Sequence, residues 1–191
     1  IKEHFPTARL HASTQCSVNT PQGFKALEKL GFKRAVLPRE MSIDEIKEIR
    51  SSTDMELEMF VHGALCMCVS GQCYLSAMLG SRSGNRGLCA QPCRLRFSAD
   101  SSNSHDLSLK DLSLVEHLDE IKALGIASLK IEGRMKRPEY VAAAVTACKK
   151  ALEKTYDKND SIVLKSVFSR TGFTDGYFTG ERKEMFGYRQ K

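Results

Sequence analysis

The sequence predicts an α/β fold, specifically part of a (β/α)8 TIM-like barrel with an irregular cysteine-rich loop inserted into it. Strand-like apolar segments alternate at least four times with helical patterns, and the connections between them are short. This alternation is typical of parallel βα units. A complete barrel takes roughly 250 residues, whereas this chain has 191. We therefore expect a partial barrel, with functional groups at the carboxyl ends of its strands.

The first part of the chain is predicted to contain three strands and two helices. Residues 8–15, 32–38 and 55–61 have the composition of strands. Thr20-Pro21 begins the first helix, because threonine is a good N-cap and proline suits the first helical position. The second helix begins at the capping box formed by Ser42 and Glu45.

The predicted βα alternation continues after the cysteine-rich region. A short strand is predicted at 107–110, and a helix at 111–124 that ends at Gly125. A further strand covers 126–131. A long helix at 138–154 begins at a proline and ends in lysines, as helix termini favour.

These elements divide the chain into two parts. Residues 1–154 form the predicted barrel domain, which includes the cysteine-rich region 58–97. Residues 155–191 form a turn-rich extension.

No apolar run is long enough to span a membrane. The chain begins at Ile1 without a basic and apolar leader, so we expect a partial chain from a cytoplasmic protein.

The region 58–97 is dense in thiols and contains no acidic residue after its first position. Four thiolates suit either zinc or an iron–sulfur cluster. Zinc ribbons favour C-x2-C pairs, and none is present, so the wide spacing favours a cluster without excluding zinc. Buried free cysteines are the simpler alternative. Cys68 is an extra thiol, and Cys16 and Cys148 are predicted to be packing residues. The four candidate ligands are Cys66, Cys73, Cys89 and Cys93.

Two further sets of candidate residues lie where predicted strands end. Lys130, Glu132 and Arg134 follow one another at every second position, so they share one face if the strand continues. Such a trio could bind a carboxylated metabolite, with Arg134 as the bidentate partner. A surface ion-pair cluster is an equally good interpretation. His62 is either a site residue or a structural histidine.

The charge balance favours an anionic partner. The net charge is +6 and the isoelectric point is about 9.0, which permits RNA binding but also fits a solvated basic surface. Six cations belong to segments that a barrel would place at one end. These candidate RNA-binding residues are Arg82, Arg86, Arg94, Arg96, Lys136 and Arg137.

The motifs of the chain resemble those of peptidase family U32, the collagenase-like proteases. The segment E-M-F-V-H-G-A-L-C-x6-C-Y-L-S is similar to the family signature. The blocks H-A-S-T-Q, L-P-R-E, S-R-S-G-N-R-G-x-C-A-Q-P-C-R and L-K-I-E-G-R-M-K also resemble family blocks. The resemblance covers nearly the whole chain.

The resemblance implies an enzyme that contains a 4Fe–4S cluster. Bacterial members of this family support hydroxylation of a tRNA wobble uridine or of a cytidine in large-subunit rRNA, with prephenate as co-substrate, and one branch acts in ubiquinone synthesis. The cluster ligands implied are Cys66, Cys73, Cys89 and Cys93. Two alternatives remain, a collagenase-like peptidase and a non-catalytic accessory subunit. The chain contains neither an H-E-x-x-H motif nor a G-x-S-x-G elbow, which disfavours the peptidase.

Overall fold

The structure is a mixed α/β fold built on one six-stranded sheet. It is a computed structural model that describes residues 1–98, 104–133, 136–167 and 169–188. The strands are β1 (Leu10–Ala12), β2 (Phe32–Val36), β3 (Glu56–Ala64), β4 (Asp111–Ser113), β5 (Ser128–Ile131) and β6 (Phe173–Thr174).

The helices lie between these strands. Four short 3-10 turns, at Thr14–Cys16, Gly84–Arg86, Pro92–Arg94 and Val115–His117, complete the helical structure of the described residues. The α-helices are α1 (Pro21–Lys29), α2 (Ile43–Ser52), α3 (Leu75–Gly80), α4 (Leu118–Ala123), α5 (Pro138–Leu152), α6 (Lys158–Val167) and α7 (Gly176–Thr179).

Strand β3 is the centre of the sheet. It pairs in parallel with β2 on one side and with β5 on the other, while β1 extends the sheet beyond β2. Near its end, β3 also pairs with β4 in antiparallel orientation, and β6 runs parallel to β4. The parallel-dominated α/β class is confirmed. The described strands leave the sheet open, so a closed barrel is not what this part of the chain forms.

Local sequence accounts for the boundaries of the first two helices. The Thr20 side chain accepts a hydrogen bond from the Gly23 N–H, and α1 starts at the following proline. At α2, Ser42 and Glu45 form the predicted capping box, in which each side chain bonds to the other residue's backbone N–H. Both helix starts are therefore confirmed.

Side chains along β3 alternate between two faces of the sheet. Leu57, Met59 and Val61 are buried in the hydrophobic core, where α1 packs on β2 and α5 packs on β5. Glu58 is only partly buried and forms ion pairs with neighbouring strands. Because side chains alternate across a strand, the Glu58 carboxylate lies on the face opposite these three residues, which it shares with the buried Phe60 and His62.

The structure corrects three sequence-based boundaries. The predicted strand at 107–110 is displaced to β4, because Asp111 and Leu112 pair with the end of β3. The predicted helix at 111–124 is consequently shorter, and α4 begins at Leu118 after a 3-10 turn. Helix α6 in the extension was not predicted, and its Leu164 is buried in the core.

Candidate functional site

The segment between β3 and β4 brings five cysteine thiols to one cavity of about 350 Å³. Glu40, which follows β2, anchors the segment by accepting hydrogen bonds from the Ser70 N–H and hydroxyl, each at 2.8 Å. The cavity lies beyond the carboxyl end of β3, where barrel-like folds place their functional groups. The cysteines that line it are Cys66, Cys68, Cys73, Cys89 and Cys93.

The sulfur of Cys89 already receives hydrogen bonds. The Gln91 N–H donates to Cys89 Sγ at 3.3 Å, and the Ser76 hydroxyl donates at 3.7 Å. The Ser76 oxygen in turn accepts from the Ala90 N–H. Donors of this kind stabilise a thiolate and tune a metal-bound sulfur. Partial burial raises the pKa of the Cys93 thiol, and the neighbouring guanidinium of Arg94 opposes that rise.

The described residues contain no group of three His, Cys, Asp or Glu side chains close enough to hold a single metal ion. The donor chemistry can still be compared with what each group requires. Thiolates are the ligands of iron–sulfur clusters and also of structural zinc. The five thiols that line the cavity therefore fit an iron–sulfur cluster as donors, and they fit zinc equally well.

Arg94 joins the cysteine segment to the strands beneath it. Its guanidinium donates to the carbonyl oxygens of Leu65 and Leu109, the latter at 2.8 Å, and to the Ser108 hydroxyl at 3.2 Å. Burial lowers the pKa of Arg94. Arg94 is thus committed to backbone contacts within the fold, and RNA phosphates are not its partners here.

The predicted trio at the end of β5 is divided between different partners. Lys130 Nζ lies 2.9 Å from Glu58 Oε1, whereas the Glu132 carboxylate accepts from Arg39 at 2.8 Å. Arg39 also stacks over the Phe60 ring, 3.5 Å from its centroid. Each of these two members therefore has its own ion pair across the sheet. The third member, Arg134, lies outside the described residues.

A buried polar cluster lies next to the cysteine cavity. The Asp111 carboxylate is fully buried and accepts a hydrogen bond from Arg170, whose side chain is 8% exposed. Lys136 Nζ lies 3.8 Å from the same carboxylate oxygen and is 5% exposed. The Arg170 charge also acts on the Cys93 thiol. Asp111 and Arg170 were absent from the predicted site, since neither belongs to a recognisable motif.

His62 is buried at the end of β3. Its ring packs between Tyr140 and Phe173, with centroid distances of 5.5 and 5.0 Å. Within the described ranges, neither ring nitrogen has a hydrogen-bond partner. Burial, assisted by the Lys136 charge, lowers the pKa of His62 to about 4. The imidazole is therefore neutral at physiological pH. Any group that donates a proton or a hydrogen bond to it must reach a buried position.

The low pKa of His62 predicts a loss of stability in mild acid. In the unfolded chain the imidazole has its ordinary pKa near 6.5, whereas in the folded protein the pKa is about 4. The neutral imidazole therefore contributes its full share of the folding stability above pH 6.5, and this share is lost as the pH falls towards 4. The loss is on the order of 3 kcal/mol. Urea unfolding between pH 7 and 4 should show a smaller decline for His62→Phe than for wild type, while the exposed-site control His4→Phe should match wild type. Equal declines for both variants would contradict the assignment.

The six candidate RNA-binding cations have different environments. Arg82, Arg86 and Arg96 are exposed on the cysteine segment. Arg137 is also exposed, with its nearest carboxylate on Glu139 at 3.8 Å. Arg94 and Lys136 instead point into the protein, because the buried carbonyls and the Asp111 carboxylate require cationic partners. Four of the six therefore remain accessible to an RNA backbone.

The backbone approaches closely where β3 and β5 end. Gly63 has a φ of +125°, and a Cβ there would lie 2.8 Å from the Glu132 carbonyl oxygen. Only glycine accommodates both the backbone conformation and the close approach.

No helix in the described residues combines the length and apolar character needed to cross a membrane.

Sequence comparison with known proteins identifies the family of the chain. The sequence profile of peptidase family U32 matches residues 1–186, and the chain belongs to this family. It is 36% identical over 188 residues to the 23S rRNA 5-hydroxycytidine C2501 synthase of Escherichia coli, and 34% identical over 210 residues to tRNA hydroxylation protein P1 of Bacillus subtilis. It is also 34% identical over 208 residues to a collagenase of Porphyromonas gingivalis.

These matches cover most of this chain but only part of each relative. They include 95%, 97% and 94% of this chain, against 28%, 50% and 50% of the three relatives in the same order. The chain thus spans half or less of the length of these proteins. No solved structure matches the chain.

Proposed function

We propose that this chain is part of an enzyme that hydroxylates RNA with the help of an iron–sulfur cluster. The observation that carries the proposal is the convergence of five thiols on one cavity beyond β3, beside a buried cationic cluster. Relatives named as an rRNA hydroxycytidine synthase and as tRNA hydroxylation proteins support the reaction class. A tRNA uridine and an rRNA cytidine are the two candidate substrates.

In this proposal Cys66, Cys73, Cys89 and Cys93 hold a 4Fe–4S cluster. When bound, the cluster supplies one-electron chemistry for the insertion of an oxygen atom. The chain's own contribution is to donate hydrogen bonds to the Cys89 sulfur, to place arginines near the cysteines, and to exclude acidic side chains from the segment.

We also propose that a carboxylated metabolite, with prephenate as the candidate, binds at the strand ends. Two described cations near the cysteine cavity, besides the backbone-bound Arg94, are Arg39, which lines it, and Arg170, whose charge reaches Cys93. Arg170 lies within a low-dielectric interior, where a guanidinium binds a carboxylate strongly and in a fixed orientation. His62, neutral and without a described partner, could accept a hydrogen bond from a hydroxyl of the bound molecule.

The order of the parallel strands in the sheet supports the assignment of the fold to part of a (β/α)8 barrel. The parallel strands β1, β2, β3 and β5 lie side by side in the order in which they occur along the chain, with β4 inserted in sequence between β3 and β5. A (β/α)8 barrel has the same strand order, and we propose that these four strands form part of one. The cavity then lies at the carboxyl end of the barrel. We place the reaction in the cytoplasm, where free thiols stay reduced.

The test is mass spectrometry of ribosomal and transfer RNA from a strain that lacks the gene. We expect one hydroxylated nucleoside to disappear, to return with the wild-type gene, and to stay absent with Arg134→Ala, which removes the predicted carboxylate ligand. Cys148→Ala is the matched control, because this buried thiol of α5 does not line the cavity, and it should restore the nucleoside. If deletion removes no hydroxylated nucleoside, the hydroxylase proposal is wrong.

The collagenase relative makes a peptidase the second candidate. A thiol or hydroxyl nucleophile is commonly activated by a histidine within hydrogen-bond reach. In the described part of the chain, His117 instead lies between two carboxylates, 2.8 Å from Asp175 and 3.9 Å from Glu120. No described thiol or hydroxyl bonds to a histidine. Purified full-length protein that cleaves collagen, and loses that activity on one substitution in the sheet, would favour this candidate.

A further inference from the structure

We propose that an aromatic pocket beside the cysteine segment binds an unpaired nucleobase of single-stranded RNA. This proposal rests on the proposed RNA function and adds a site at which the RNA strand is bound. The pocket has a volume of about 450 Å³ and lies between the residues that precede β4 and those that follow α7. The residues that matter are Ser104, His105, Asp106, Thr171, Phe186 and Tyr188.

Two rings form a flat platform in this pocket. The rings of His105 and Tyr188 are stacked, with centroids 5.0 Å apart and planes inclined by only 5°. Tyr188 is 42% exposed and its neighbour Phe186 is 50% exposed, so apolar ring surface faces solvent. A nucleobase is a flat aromatic ligand that can extend such a stack, whatever its sequence. Duplex RNA cannot, because its bases are already stacked.

The chain holds the platform in place by backbone contacts. The Lys110 N–H donates to the Met185 carbonyl at 2.8 Å, and the Gly187 N–H donates to the Ser108 carbonyl at 2.9 Å. A Cβ on Gly187 would lie 2.5 Å from the Arg170 carbonyl oxygen, so the two segments approach as closely as glycine permits. A pocket tied down in this way is ordered before a ligand binds, which lowers the entropy cost of binding.

The pocket adjoins the candidate site. A carbonyl oxygen only accepts, so His105 Nδ1 is the donor in its 3.2 Å contact with the carbonyl of Arg94, which follows Cys93. On the other side, Thr171 follows Arg170 of the buried cluster. An RNA base in the pocket would therefore fix the strand next to the cysteine cavity.

The rim of the pocket suits a nucleotide better than an apolar peptide side chain. The Thr171 hydroxyl and the Asp106 carboxylate provide hydrogen-bonding groups for the edge of a base. Phe97 forms a backbone bridge to His105, which brings the exposed Arg96 close to the platform. Stacking rings combined with nearby cations are the usual means of binding single-stranded nucleic acid.

The experiment measures fluorescence anisotropy of a labelled single-stranded RNA across a range of salt concentrations. Tyr188→Ala should weaken binding roughly 5- to 150-fold, the effect of one lost base–aromatic stack, and should leave the salt slope unchanged. Tyr188→Phe, which keeps the ring, should bind like wild type, and His105→Ala should weaken binding as well. Arg82→Ala should instead flatten the salt slope by about one unit. Phe5→Ala removes a ring that is even more exposed, at 65%, near the other end of the chain, and is the control.

The outcomes separate this inference from the proposed function. If wild-type protein binds RNA and Tyr188→Ala and His105→Ala bind equally well, the pocket is not the base site, although the RNA function stands. If Tyr188→Ala binds an apolar aromatic peptide more weakly than wild type does but binds RNA equally well, the pocket is a site for a protein partner and the nucleobase proposal is wrong. If wild type binds no RNA at any salt concentration, the proposed function fails first. Circular dichroism should show that each variant is folded.

Discussion

Protein purified without oxygen is expected to be brown, and Cys89→Ala is expected to lose this colour together with its iron. The Cys89 sulfur lines the cavity and accepts hydrogen bonds from Gln91 and Ser76, so its loss removes a preorganised ligand. Alanine at Cys66, Cys73 or Cys93 should have the same effect. The measurement is iron content together with the broad absorption at the blue edge of the visible spectrum.

Two other thiols provide controls for the cluster prediction. Cys148→Ala should keep iron and colour, because Cys148 is buried on α5 and burial raises its pKa to about 11. Cys68→Ala should keep them too, since Cys68 is the extra thiol of the cavity. Stoichiometric zinc without iron in carefully anaerobic wild-type protein would show that the cavity holds a different metal.

Removal of the Asp111 carboxylate is expected to destabilise the protein by about 3–5 kcal/mol. Asp111 is fully buried and compensates the buried charges of Arg170 and Lys136. In Asp111→Ala these two cations face each other in a low-dielectric interior without their shared carboxylate. Since a domain is stable by only about 5–15 kcal/mol, the change should be large in urea unfolding followed by circular dichroism. Asp111→Asn, which retains an acceptor oxygen, should lose less.

An exposed ion pair is the matched control for Asp111. Asp44 lies 3.4 Å from Lys47 on α2, but its side chain is 88% exposed. Solvent screens such a pair, so Asp44→Ala should change stability by less than about 1 kcal/mol. A similar small effect for Asp111→Ala would mean that the cluster is better hydrated than its burial indicates.

Local features of the sequence were predicted well because they depend on neighbouring residues. The Ser42–Glu45 capping box and the Thr20 N-cap each involve partners three residues apart, and both are confirmed. The clustering of five cysteines within one short segment also led directly to the cavity that they line. The ligand assignment itself stays a prediction.

Features that depend on distant residues were not predictable in this way. Asp111 and Arg170 are 59 positions apart, and neither lies in a motif that would suggest the other. Helix α6 was missed because Ile162 and Val163 are exposed, at 64% and 54%, and only Leu164 of that apolar run is buried. Strand β4 pairs with β3 over three positions, too few for a periodic pattern to show.

The Arg94 side chain joins the two ends of the cysteine segment. One guanidinium joins the carbonyl of Leu65, where the segment leaves β3, to that of Leu109, just before β4. One side chain thus sets the distance between the two ends of the segment. Loss of the Arg94 guanidinium would release both ends at once, so this single residue couples the start of the segment to its end.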